Sequence, residues 1–335
     1  MIWYKNKENN DIIVSTRIRL ARNLKGFPFP DLISDKDAVK VAESVICAVR
    51  DSKDKIGEFN VLKMADTDKV NRQVMMEKHL ISSDILGKTE SSALISQDEE
   101  ASIMVLEEDH IRIQVIMGGF CLESAYKRAD LIDDSISEKT EIAFSEKYGF
   151  LTSCPTNTGT GLRASVMMHL PALTMTGNID RIIRSAASLG LEIRGLYGEG
   201  SKATGCLYQL SNRITLGVSE TETIEKIKRI TEQIKKSEEE ARERIKNHPD
   251  LLDRVWRSLG TLKYARKISG VEAKGLISDY ILGRSMGIID EEIKINWVEL
   301  MVLTEPANIL KISGRDDLTP EERDLKRAEM IRLSL

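Results

Sequence analysis

The period-two pattern of strands, interleaved with helical stretches over the first 250 residues, stops there and does not return. That change restricts this chain to folds in which a sheet-bearing part is followed by a purely helical one. Ala101 to Leu106 is β-rich, and Ile111, Ile113, Val115 and Met117 alternate with Arg112 and Gln114. The charged run Glu107 to His110 reads as the turn between these strands. It sets an acidic cluster at the mouth of a strand pair, with Arg112 on the opposite face from Ile111. Gly149 to Ser153, Ala164 to Leu170 and Cys206 to Leu210 read as further strands. Helices are expected over 36–50, where Val39, Ala42, Val45, Ile46 and Val49 form one stripe, and over 68–81, 121–147 and 179–189. Glu192 to Gly205 carries Gly195, Gly198, Gly200 and Gly205 and reads as a mobile loop. A long charged helix runs from Ser219 to His248. Asn247-His248-Pro249-Asp250 breaks it and marks a domain boundary. Beyond it the strand pattern vanishes. Helices are expected over 251–268, 271–286 and 295–303. A last helix starts at Pro320, where Thr319 can cap and Glu322 can complete a capping box.

The bulk properties fit this outline. A length of 335 residues suits two domains, 41% hydrophobic residues suffice for packed cores, and 30% charged residues suit a soluble protein. A formal charge of −4 leaves no nucleic-acid footprint. No apolar run approaches the ~18 residues of a membrane span, and the start of the chain shows no apolar signal region, so a cytoplasmic location without membrane contact is expected. The cysteines, Cys47, Cys121, Cys154 and Cys206, and the histidines, His79, His110, His169 and His248, are scattered. That spacing argues against a zinc site or a disulfide frame.

Residues 149–163 hold the chemistry-bearing stretch. Cys154 stands at a turn beside Pro155, a small-residue loop runs from Thr156 to Gly161, and Arg163 ends it. Such a loop offers N–H groups and hydroxyls to an anion, and arginine adds a planar fork of donors. By composition alone it is equally an ordinary strand connection. Arg17 and Arg19, two apart, would share one face of a strand. As a lone pair they would read as surface arginines.

Five ordered segments change that weighing. Cys154-Pro155-Thr156-Asn157 with Gly159 to Arg163 resembles the active-site segment of the phosphagen (guanidino) kinases. Ser15-Thr16-Arg17-Ile18-Arg19 resembles their first phosphate-binding segment, and Glu107 to Arg112 their acidic catalytic segment. Arg194-Gly195-Leu196-Tyr197-Gly198-Glu199 resembles their substrate loop, and His79 the histidine near the nucleotide. The likeness covers about residues 12–242. It departs at Leu106, where the family usually has Asn.

The resemblance implies an α+β catalytic domain over residues 1–246, an antiparallel sheet flanked by helices, and an all-α domain over 250–335. It implies an ATP-dependent phosphotransferase. Arg17, Arg19, Arg112, Arg163 and Arg194 would converge on the phosphates, aided by Ser15, Thr16, Ile18, His79, Ala164, Ser165, Val166, Met167, Gly195, Leu196, Tyr197, Gly198 and Glu199. Glu108 and Glu199 would clamp and deprotonate a guanidinium, whose pKa above 12 makes it a poor nucleophile. Cys154 would lie on the substrate side, or be a small packed hydrophobe; His79 would touch nucleotide, or merely cap its helix. Mg²⁺ would arrive on the nucleotide, with no dedicated metal cage.

The family's small-substrate members carry a helical domain ahead of the first arginine motif. Here Arg17 leaves no room for one, so an arginine side chain on a protein is the expected acceptor. The tail agrees. Arg323-Asp324-Leu325-Lys326-Arg327-Ala328 puts two arginines at i, i+4, and the pattern is similar to that of the McsB-type bacterial protein arginine kinases. In that family the motif binds phosphoarginine allosterically, and the helical domain dimerises. The likeness further implies a homodimer or higher oligomer, a zinc-binding activator protein (McsA), a stress-gene repressor and a ClpC-type unfoldase as partners, and a role in the stress response. Two alternatives stay open: a kinase of free arginine or another small guanidine, and a phosphoarginine-binding adaptor without catalysis.

Overall fold

The computed structural model describes residues 2–5, 11–195, 203–290 and 296–335. The first part of the chain runs β1 (Ile13–Arg22), α1 (Asp35–Asp51), α2 (Lys53–Ile56), β2 (Phe59–Lys63), α3 (Lys69–Glu77), β3 (Ser92–Ser96), β4 (Ala101–Val105), β5 (Ile111–Gly118) and α4 (Leu122–Ser137). Then come the two-residue strands β6 (Phe144–Ser145) and β7 (Gly149–Phe150), β8 (Leu162–His169), α5 (Pro171–Met175), α6 (Ile179–Ser188), β9 (Leu191–Gly195) and β10 (Leu207–Asn212). Among the described residues only helices follow: α7 (Glu220–Ile245), α8 (Pro249–Tyr264), α9 (Gly270–Ser285), α10 (Trp297–Leu303), α11 (Pro306–Ser313) and α12 (Pro320–Ser334). The expected break at 247–250 falls between α7 and α8. As compact units the chain divides elsewhere, into Met1–Trp3 with Thr16–Ser165 and Ser211–Ile227, and Tyr4–Ser15 with Val166–Leu210 and Lys228–Leu335.

In the first unit the strand order is β2-β3-β4-β5-β1-β8-β10. β2 to β5 form an antiparallel meander in which Met104 faces Arg112 and Ser102 faces Gln114 across the β4–β5 pair. Met104, Ala93 and Ile95 pack with Met64, Met75, Leu80, Ile81 and Ile85, so α3 and the segment after it cover that face. The other face of β5, with Ile111, Ile113 and Val115 fully buried, takes α4. The period-two pattern thus placed Arg112 and Gln114 on a common face, and the structure keeps them there.

Two expectations are corrected. The helix over 121–147 ends at Ser137, because the chain turns to pair its backbone with the end of β1. The Lys25 N–H bonds Glu141 O (2.9 Å) and the Ala143 N–H bonds Asn23 O (2.7 Å). The strand over 149–153 shortens to Gly149–Phe150, since the next amides find other acceptors: Leu151 bonds Ala143 O, and Ser153 bonds the Asp109 carboxylate (2.7 Å).

In the second unit the order is β1-β8-β10-β9, and residues 192–195 of the expected loop belong to β9. α9 is buried on most sides, from Ala273 through Gly283, which explains its lack of a polar face. α8, α10 and the 204–206 turn pack on it, while α12 packs on α8 and α11. Glu238 of α7 accepts the N–H groups of Ala172 (3.0 Å) and Leu173 (2.9 Å) at the start of α5, and Arg242 holds its carboxylate at 2.9 Å. The capping box at Thr319 and Glu322 forms as the sequence indicates.

Candidate active site

β1 sets Arg17 and Arg19, half-buried, on one face and Thr16 and Ile18 on the other. Ser15, Thr16 and Ile18 are at most 2% exposed. The Thr16 hydroxyl is committed to the backbone, donating to Gly119 O (2.8 Å) and accepting from the Cys121 N–H (3.0 Å). β8 repeats the pattern: Arg163 reaches the Ser211 hydroxyl at 3.3 Å, while Ala164, Ser165, Val166 and Met167 are buried in the sheet. Arg19, Arg112 and Arg163 line one cavity of about 120 Å³ with Glu108, Asp109, Cys154, Thr156 and Asn157.

The electrostatics of this cavity are lopsided. Burial, and then the charges of Arg17, Arg112 and Arg163, push the Arg19 guanidinium well below its usual pKa, with Glu107 opposing. The Arg19 Nε is buried without a hydrogen-bond acceptor. A crowd of cations with an orphaned donor is a preformed seat for a polyanion.

The two neighbouring glutamates are held in opposite states. Glu107 is fully buried, ion-paired to Arg112 and bonded by the Ser82 hydroxyl. Burial pushes its carboxyl up, but Arg112 and these donors bring it below its ordinary value. Glu108 sits in the cavity wall, where Asn157 Nδ2 donates to it at 3.3 Å. Burial raises its carboxyl above the ordinary value despite Arg112, and Asp109 and Glu107 add to the rise. Environments that drive two carboxyls apart separate a fixed counter-charge from a proton acceptor.

The turn that carries them is strained. Leu106 has φ 60°, in the left-handed region that asparagine tolerates far better than leucine. Its N–H bonds His110 O at 3.0 Å and its carbonyl takes the Ser91 hydroxyl at 2.6 Å. The usual family Asn is thus accounted for by backbone geometry. His79 is likewise left-handed, at φ 58°. It ends α3 with paired bonds, His79 N–H to Met76 O and Leu80 N–H to Met75 O, both 2.9 Å, where glycine is the ordinary choice. Its carbonyl takes Gln114 Nε2 at 2.7 Å, and its ring lies 5.5 Å from that of Trp3. Gln114 shares its strand face with Arg112, so His79 is tied to the arginine side of the site.

The Cys154 loop differs from its sequence reading. Its middle amides, Asn157 to Thr160, are taken by the protein itself. Asn157 N–H bonds Cys154 O, Gly159 pairs with Phe150, and Thr160 N–H bonds Thr215 O. The Thr158 hydroxyl meets that of Thr152, and the Thr215 hydroxyl spans Thr156 O and Thr158 O. The loop is a self-braced wall. Its Cys154–Asn157 turn, with Pro155 second, aims the Cys154 thiol toward the Thr156 hydroxyl at 2.9 Å. Gly159 is required, because at φ 117° a Cβ would lie 2.2 Å from Thr215 O.

Other expected residues lie apart or outside the description. Arg194 stands on β9, exposed and paired with Glu192 at 2.7 Å, with Gly195 after it. Leu196, Tyr197, Gly198 and Glu199 lie outside the described residues. In α12, Arg323 donates to Leu318 O at 2.9 Å, Leu325 is exposed, and Lys326 pairs with Glu329 at 2.8 Å. Arg327 and Ala328 are buried. Arg327 donates to Thr304 O (2.9 Å) and Ile268 O (3.0 Å) and pairs with Asp324. The two arginines of the tail motif are therefore unlike. Sequence reasoning passed over Asn157 and Asp109, though both stand inside the quoted motifs, and Asn23, which no motif marks.

Known proteins share this organisation. Residues 40–241 match the family described as ATP:guanido phosphotransferase, C-terminal catalytic domain, and residues 248–335 match the protein-arginine kinase McsB C-terminal domain. A protein-arginine kinase of Halothermothrix orenii is 46% identical over 330 residues, covering 97% of this chain and 93% of its own. That of Bacillus subtilis (strain 168) is 44% identical over 334 residues, covering 98% and 92%. Among solved structures, a duplicated taurocyamine kinase from Schistosoma mansoni superposes with a TM-score of 0.64 at 24% identity. The match covers 75% of this chain but 38% of that one. A lombricine kinase gives 0.61 at 21%, covering 68% and 66%. These two show the fold; the near full-length identities fix the lineage, and the chain belongs to the ATP:guanido phosphotransferase family, within its protein-arginine kinases.

Proposed function

We propose that this protein is an ATP-dependent protein-arginine kinase that moves the γ-phosphoryl group of ATP to an arginine side chain of a protein. The observation that carries the reading is the cavity in which Arg19, Arg112 and Arg163 face Glu108 and Cys154. Phosphoryl transfer is mostly positioning and charge neutralisation, and the arginines supply both. A guanidinium nitrogen attacks phosphorus as the bond to the ADP oxygen breaks. The proton it sheds passes to Glu108, whose raised pKa makes it the better base of the pair. Cys154 lies against the acceptor. Arg17, His79 and Arg194 belong to the nucleotide side, and Glu199 pairs with Glu108 on the guanidinium. The cavity's cationic lining suits phosphate oxygens, not a bare cation. Asp109 in its wall is spent on Asn23 and Ser153, so Mg²⁺ rides on the nucleotide.

Within the same reading, Arg323 and Asp324 form an allosteric phosphoarginine site in a helical domain over 250–335 that dimerises. The enzyme acts in the cytoplasm on exposed arginines of stress-response targets, a repressor among them, alongside a zinc-binding activator and an unfoldase of the ClpC type. Among the described residues no helix is long and apolar enough to cross a membrane.

The deciding experiment incubates the protein with Mg·ATP and an arginine-rich protein, beside free arginine. Mass spectrometry under non-acidic conditions then looks for the acid-labile N-phosphate. Phosphate on the protein supports the reading, phosphate on free arginine alone supports a small-guanidine kinase, and binding of phosphoarginine without transfer supports an adaptor.

A further inference from the structure

Asn23 belongs to none of the motifs that carry the chemistry, yet its side chain is fully buried and touches both halves of the site. It directly follows β1. Its Oδ1 accepts the His110 N–H at 2.8 Å. Its Nδ2 donates to Asp109 Oδ1 at 2.6 Å and to Leu151 O at 3.0 Å. The same Asp109 oxygen accepts the Ser153 N–H at 2.7 Å. One carboxamide therefore joins the turn that holds Glu108 to the segment that leads into Cys154. The partners also fix its orientation. A flipped amide would set its oxygen against a carboxylate and its NH₂ against an N–H.

We infer that Asn23 is a positioning residue for phosphoryl transfer, setting the spacing between the Glu108 carboxylate and the Cys154 thiol across the cavity they share. It rests on the reading of that cavity as the phosphotransfer site. Both segments approach the cavity as loops, and loops hold position only through such cross-bonds. Without the clamp each half keeps its own turn but loses its register with the other. A misplacement on the order of 1 Å at a reacting centre costs about 100-fold in rate.

The sharpest test is Asn23→Asp, which keeps the shape. When protonated, the new carboxyl donates to Asp109 and accepts from the His110 N–H, keeping two of the clamp's three bonds and giving up the one to Leu151 O. When ionised it opposes Asp109, and two carboxylates at that separation hold a shared proton. The titratable groups its bonds reach are Asp109 and, through its amide, His110. The His110 imidazole takes the Leu24 N–H (3.1 Å) and contacts Pro28 O (2.9 Å). The neighbouring Arg22 is engaged by Asp133 (2.7 Å). The variant is expected to approach wild-type kcat at the acid end of its range. It should lose about 10- to 100-fold as pH rises, with KM for ATP within about twofold.

A second readout does not depend on turnover: the rate at which iodoacetamide alkylates Cys154 in the ATP-free protein. Asn23→Asp and Asn23→Ala should each change it several-fold, at alkaline pH for the aspartate. A folded Asn23→Asp protein with the wild-type pH profile and unchanged Cys154 alkylation overturns the inference. If Asn23→Ala does not fold, Asn23→Asp decides alone. A wild type that transfers no phosphoryl group overturns the functional reading instead, and the clamp then stands or falls on the alkylation.

Discussion

Two adjacent carboxyls do different work here because one is walled in by donors and the other is not. Glu107 meets Arg112, Ser82 and the Glu108 N–H, so its charge is fixed. Glu108 has one long contact from Asn157 and is left partly desolvated. A carboxyl whose folded pKa is raised costs the fold stability once pH climbs through that value, and adds no cost below its unfolded value. Glu108→Gln should therefore raise Tm at neutral and alkaline pH, leave it unchanged in acid, and lower kcat about 10²- to 10⁴-fold. Thermal melts across pH beside single-turnover rates check both halves. Wild-type turnover in the variant would remove Glu108 as the base. Arg19 follows the same logic with the opposite charge. Its cation is disfavoured by burial and by three other arginines, so Arg19→Gln should raise Tm of the ATP-free protein. It should weaken ATP binding by about tenfold to a hundredfold, the scale of a hydrogen bond to a charged group. Calorimetric titration with ATP measures it, and unchanged affinity would exclude Arg19 from the phosphate seat.

At the level of elements, the end of α3 shows strain kept in place. Glycine would close this helix at no steric cost, yet the position holds His79. His79→Gly should leave thermal stability equal or higher by up to about 1 kcal/mol and still weaken ATP binding. If affinity were unchanged, His79 would be only a helix terminator. The same scale shows what the sequence could convey. Long amphipathic helices, the alternation in β5 and the capping box at Thr319 were readable because each rests on local spacing. The edge strand β2 was not, since its half-buried pattern gives no clean alternation. The glycine and threonine loop misled for a different reason. Its composition suits an anion cradle, but Phe150 nearby and Thr215 some 55 residues on take the amides of Gly159 and Thr160 first. Arg19, Arg112, Arg163 and Glu108, which line one cavity, stand in the ordered motifs, and Asn23 does not, because its partners lie some eighty or more residues away.

Across the whole molecule, the helical tail separates two arginines that the sequence treats alike. Spacing of i, i+4 told of a shared face but not of the depth to which α12 sinks. Arg327 reaches the carbonyls of Ile268 and Thr304, so Arg327→Ala should destabilise by about 3 kcal/mol, chiefly by leaving buried acceptors unpaired. Arg323→Ala should change the free energy of unfolding by no more than about 0.5 kcal/mol and abolish phosphoarginine binding, with any activation lost alongside. Melts and phosphoarginine titrations of both variants separate packing from recognition. Retained binding in Arg323→Ala would dissolve the proposed site. The crowded guanidinium groups of the catalytic cavity carry one more implication, for nucleotide binding. Mutual repulsion there is relieved in proportion to the negative charge that enters. In the proposed role such a cavity binds a nucleotide more tightly the more negative charge it carries, ATP above ADP above AMP, an order that competition titrations would check.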